Sequence, residues 1–105
     1  MKDAASMTDI LLCTLLNCQN KQDCAALLED LCTYQEIEQM AQRAAAAQLL
    51  LEGKTYAEIV EETGISSATL SRVSRALRHG TGAYARLLPK AELKRIKPEY
   101  IEKYL

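Results

Sequence analysis

A glycine between two short helical patterns constrains this chain most. Residues 54–78, KTYAEIVEETGISSATLSRVSRALR, read as two helices joined at Gly64–Ile65. Thr55 with Glu58 forms a capping-box pattern, which starts a helix at Tyr56. Ile59 and Val60 turn inward from it. Thr63–Gly64 stops it, because glycine enters the left-handed conformation without a Cβ penalty. Ile65 then buries at the turn. Ser66 is the N-cap expected for the second helix, with Ser67 as the alternative.

On the second helix Leu70, Val73 and Leu77 share one face at i, i+3, i+7 spacing. Ser67, Ala68, Ser71, Arg72, Arg75 and Arg78 fall on the other side. The inner face carries no charge and the outer face no carboxylate. A merely solvated helix mixes both signs, so an ordinary hairpin with a basic surface is the weaker reading. A helix that enters a DNA major groove needs small polar groups near base edges and cations near phosphates. Ser67, Ala68, Thr69 and Ser71 supply the first, Arg75 and Arg78 the second, and Ser66 caps the helix. Arg72 is open to two roles, facing DNA or lining a pocket.

Net charge, −1, does not by itself suggest such a partner. Its distribution does. Residues 1–62 hold four Lys/Arg and eleven Asp/Glu, a balance of −7; residues 63–105 hold nine and three, a balance of +6. That asymmetry describes a basic working face on an acidic body. With 105 residues the chain is one domain, 1–105, and small enough to share its core with a second copy. There is no Trp and no Phe, so the core must come from aliphatic side chains and alanine.

Three helices are expected ahead of the hairpin. Ser6 or Thr8 starts the first, which carries Met7, Ile10, Leu11, Leu15 and Leu16. A second spans about residues 22–31. Thr33 with Glu36 repeats the capping-box pattern and opens a longer third, which Gly53 ends. Ala44–Ala47 and Leu49–Leu51 make that helix apolar around much of its circumference, so it packs against more than one neighbour. Those neighbours are either the hairpin and the first helix or a second subunit; residues 1–53 are expected as the dimerisation helices that the resemblance described below implies, 54–78 as the hairpin, and 79–105 as a helical tail. In the tail a short helix is expected at Ala83–Leu88, and Pro89 and Pro98 each suit a further helix start.

Other chemistry is thinly represented. Cysteines 13, 18, 24 and 32 lack C-x-x-C spacing and a nearby histidine, so they read as reduced, core or near-core residues rather than a metal set. His79, the single histidine, suits a helix end, where a cation complements the dipole, with a phosphate contact as the second reading. Gly80-Thr81-Gly82 is not a phosphate loop. Lys94-Arg95-Ile96-Lys97 is too short a cluster to carry an assignment. No nucleophile–base pattern appears; no catalytic residue, cofactor or metal is expected. The N-terminal stretch lacks a signal-peptide pattern and no apolar run spans a membrane, so a cytoplasmic protein is expected.

The capped long helix, the glycine and the hairpin, in CTYQEIEQMAQRAAAAQLLLEGKTYAEIVEETGISSATLSRVSRAL, resemble the bacterial Trp repressor superfamily, nearest its YerC/YecD branch. The resemblance covers about residues 7–85. It implies an all-α, intertwined homodimer whose first three helices interlock and whose hairpins project as DNA-reading heads. It also implies an effector pocket. Two ligand-side arginines align with Arg72 and Arg43, and a pocket threonine with Thr33. Val73 stands where the repressor has glycine, and Ala76 where it has serine. The valine fills space an indole would need and the alanine lacks a hydroxyl. The resemblance therefore implies another small effector, or none, in place of tryptophan. The function expected is a sequence-specific regulator, a repressor, on double-stranded DNA. Its rivals are a helical protein-interaction module and a small-molecule-responsive dimer without a DNA role.

Overall fold

The structure, a computed structural model, describes residues 3–89. The described residues form six helices: α1 (Ala4–Leu16), α2 (Lys21–Leu31), α3 (Tyr34–Leu51), α4 (Tyr56–Thr63), α5 (Ser67–His79) and α6 (Ala83–Leu87). The all-helical expectation holds, with no strand among the described residues. The helices expected from Pro98 and within residues 90–97 lie outside the described residues, as does the Lys94–Lys97 cluster. Two compact units divide the chain, one through Tyr34 and one from Gln35. The unit that contains the hairpin therefore also takes nearly all of α3.

In the first unit, α1 begins earlier than Ser6 or Thr8. Asp3 is its N-cap, and its Oδ1 accepts from the Ser6 amide at 2.7 Å. Thr8 and Thr14 instead donate their hydroxyls back to Ala4 and Ile10 carbonyls, inside the helix. Asn20 caps α2 by accepting from the Asp23 amide at 2.8 Å. Neither helix buries a single residue. Met7, Ile10 and Leu12 are about half exposed, and Leu16 reaches 83%. The cysteines share this fate, which corrects their expected place in a core: Cys13 and Cys24 are exposed, Cys18 and Cys32 half-buried. The single chain offers these helices too little apolar cover to enclose a thiol.

The second unit holds the core: Ala46, Ala47, Leu49, Ile59, Ile65, Leu70 and Val73. Four consecutive residues of α3, Ala46 to Leu49, are buried. Successive helical residues turn by about 100°, so this stretch is enclosed on every side. The alanines allow that closeness. Gln48 lies among them, 3% exposed, with a buried Oε1 that accepts no hydrogen bond. A Schellman turn ends α3: Lys54 N–H donates to Leu49 O and Gly53 N–H to Leu50 O, both at 3.0 Å, with Gly53 at φ +86°.

Candidate nucleic-acid interface

The hairpin forms as its residues dictate. The Thr55 hydroxyl accepts from the Glu58 amide at 3.2 Å, and Glu58 reaches back to the Thr55 amide at 3.5 Å, which closes the capping box. Lys54 lies 3.8 Å from the Glu58 carboxylate, an exposed pair that adds little. Gly64 ends α4 at φ +75°, and its N–H donates to Val60 O at 2.9 Å. Thr63 then organises the turn. Its hydroxyl donates to Ile59 O at 2.7 Å and accepts from the Ile65 amide at 3.2 Å. Its carbonyl accepts from Gln42 Nε2 of α3 at 3.2 Å. Ile65 is 1% exposed and anchors the turn in the core.

Ser66 caps α5. Its Oγ accepts from the Thr69 amide at 3.1 Å and donates to Thr69 Oγ1 at 2.8 Å. The hydroxyls of Ser66 and Thr69 are thus engaged with each other, and Thr69 is half-buried. Ser67, Ala68 and Ser71 are exposed along the start of the helix, and Arg72, Arg75 and Arg78 farther on. Leu70 and Val73 are buried and Leu77 packs against the core from its edge. Val60, bulky for a close helix crossing, packs there too. The helix therefore shows one apolar face to its own unit and one carboxylate-free face to solvent. Arg78 and His79 fall in its last turn, where cations complement the helix dipole.

The residues expected to line an effector pocket belong to two units, each described by itself. Arg72 and Ala76 line one open notch of about 300 Å³ together with Arg75, His79 and Gly80. Val73 points into the core at 2% exposure and does not line that notch. Arg43 on α3 is half-buried and absent from it. Thr33 is exposed and belongs to the first unit. Sequence reasoning missed one contributor. Gln42 braces the turn from 21 positions upstream, which no local pattern signals. His79, for which a phosphate contact is the second reading, lines the same notch as Arg72 and Arg75, at i+7 from Arg72. Among the described residues no group of three His, Cys, Asp or Glu could hold a metal ion. No helix there is long and apolar enough to cross a membrane.

A helix-turn-helix behind a long, tightly packed α3 defines a class of helical proteins with a projecting, basic helix. The family model described as Trp repressor protein matches residues 6–92. The chain is 42% identical over 84 residues to the uncharacterized protein YerC of Bacillus subtilis (strain 168), covering 80% of this chain and 81% of that one. It superposes on the crystal structure of a candidate Trp repressor from Staphylococcus aureus with a TM-score of 0.77 and 40% identity, over 79% and 83% of the two chains. A TrpR-like protein from Eubacterium eligens ATCC 27750 gives a TM-score of 0.78 at 34% identity, over 88% and 93%. The chain belongs to the Trp repressor family, in its Trp-repressor-related YerC branch.

Proposed function

We propose that this protein is a DNA-binding transcriptional regulator, a repressor that acts as a homodimer and has no enzymatic role. The observation that carries the reading is the solvent face of α5: Ser67, Ala68, Ser71, Arg72, Arg75 and Arg78, all exposed and without a carboxylate among them. Small groups at the start of the helix let it approach base edges. The arginines beyond hold phosphates, which supply affinity but no sequence information. Membership of the family supports the same reading, as does the name Trp repressor borne by its model. Repression follows from occupying promoter DNA, in the cytoplasm.

The dimer is supported by the exposed leucines of α1, which a single chain leaves in water. Two hairpins on such a dimer read half-sites one helical turn apart, roughly 34 Å. The effector, if one acts, is not tryptophan: Val73 is committed to the core and Ala76 has no hydroxyl to offer.

Mobility shifts on fragmented genomic DNA at two salt concentrations test this. Arg75→Ala and Arg78→Ala are each expected to weaken binding on every sequence. Each flattens the dependence of log K on log salt by about one phosphate's worth. Binding with unchanged salt slopes in both variants overturns the docking face, and no binding at either salt overturns the function.

A further inference from the structure

Cys18 and Cys24 flank the turn between α1 and α2, both within the first unit. Hydrogen bonds close that turn from both sides. The Asp23 amide donates to Asn20 Oδ1 at 2.8 Å, and the Gln19 amide donates to Asp23 Oδ2 at 3.0 Å. Residues 19 and 23 are thus tied together, and the two cysteines stand one position outside the tie. Each has its own backbone anchor. The Cys18 amide donates to Leu15 O at 3.1 Å and the Cys24 amide to Asn20 O at 3.2 Å. Their thiols meet in a side-chain hydrogen bond. Cys18 Sγ also lies 3.9 Å from the Thr14 carbonyl oxygen, which keeps it beside the end of α1.

The neighbouring pairings suit a bond less. Cys32 lies eight residues beyond Cys24, about 12 Å along α2. Cys13 lies five residues before Cys18, about 7.5 Å along the axis and on a different side of α1. A disulfide needs Cα atoms within about 7 Å and side chains that point together. The two sulfurs of the close pair also differ in setting. Cys24 is exposed and Cys18 half-buried. Desolvation, the bond to Cys24 and the Asp23 charge all push the Cys18 thiol up. Cys18 therefore meets an oxidant as a protonated thiol, a poor nucleophile, while Cys24 is the sulfur that solvent reaches.

We propose that Cys18 and Cys24 form a peroxide-responsive dithiol that closes into a disulfide within one chain. The Cys24 sulfur attacks one oxygen of hydrogen peroxide and the O–O bond breaks. The departing hydroxide takes the Cys24 proton as water, and a sulfenic acid remains. The Cys18 sulfur then attacks the sulfenic sulfur, whose S–O bond breaks. That oxygen leaves with the Cys18 proton as a second water. Two thiols have lost two electrons and two protons, and one peroxide has become two waters. A dithiol reductant reverses the bond by exchange. The product ties the end of α1 to the opening turn of α2, and the site stands whether or not the chain binds DNA.

The test is hydrogen peroxide added to the full native chain, followed by alkylation of the remaining thiols and digestion. Trypsin and chymotrypsin together cut after Leu16, Lys21 and Leu28, and so between all four cysteines. Mass spectrometry is expected to find the Cys18 and Cys24 peptides joined, the intact chain lighter by two hydrogens, and Cys13 and Cys32 alkylated. A dithiol reductant should restore all four thiols. Cys18→Ser should stop at the Cys24 sulfenic acid, captured with dimedone, and Cys24→Ser should keep the Cys18 thiol at the same dose. Four free thiols after exposure overturn the proposal. So do links to Cys13 or Cys32, links between chains, or a Cys24 sulfinic acid beside a free Cys18. An equal yield of the 18–24 link in urea overturns the part given to the folded turn.

Discussion

Single hydroxyls and amides hold the hairpin in shape, and each can be removed by one substitution. Ser66 satisfies an orphan donor at the start of α5, and Thr55 does the same for α4. Ser66→Ala and Thr55→Ala are each expected to destabilise the folded chain by ~1 kcal/mol in urea unfolding. Ser66→Gly should cost only a few tenths, since glycine tolerates the cap geometry. Equal losses for alanine and glycine at position 66 would show that the hydroxyl is not the stabilising group. These caps were legible in advance because each involves residues within three positions of one another. Asp3 was not singled out: Asp3, Ser6 and Thr8 are all good cap types, and local spacing does not choose among them.

At the scale of the helix, α1 carries its own pH response. The Ser6 amide donating to Oδ1 holds the Asp3 carboxyl below its ordinary value, with help from the Ser6 hydroxyl. A carboxyl depressed on folding stabilises the helix above its unfolded-state pKa, and the benefit is lost as pH falls through the folded value. The first turn of α1 should therefore fray only below the usual aspartate range. Followed by the NMR shift of the Ser6 amide, Asp3→Asn should remove that transition while keeping the turn formed, and Asp3→Ala should leave it frayed throughout. A transition that survives in Asp3→Asn would point to another group.

Cys18 is shifted the other way. Desolvation raises its thiol first, and the neighbouring Cys24 and Asp23 add to the effect. This thiol therefore stays protonated where an unshielded one would ionise, which makes it a poor first target for an oxidant.

Helix types and their faces were readable from periodicity, because the 3.6-residue repeat of α5 sorts Leu70 and Val73 from Arg72 and Arg75 without any tertiary knowledge. The complete enclosure of Ala46 to Leu49, with Gln48 buried among them, depends on what neighbouring elements leave open. No local pattern encodes that.

The whole molecule is unevenly finished. One unit has a closed core and the other exposes leucines that water would disfavour by about 25 cal/mol per Å². Under the proposed dimer this surface is the adhesive one. Replacing Leu12 and Leu16 together by glutamate should leave the hairpin's core residues folded, yet convert the dimer to monomers by light scattering. A dimer that persists would move the interface away from α1.

Gln42 has a wider consequence. It ties α3 to the carbonyl that precedes Gly64. The turn that leads into α5 is accordingly braced from the long central helix as well as from within the hairpin. Under the proposed function, any force that rolls or slides that helix would steer the reading edge with it, like a rudder stock turning its blade.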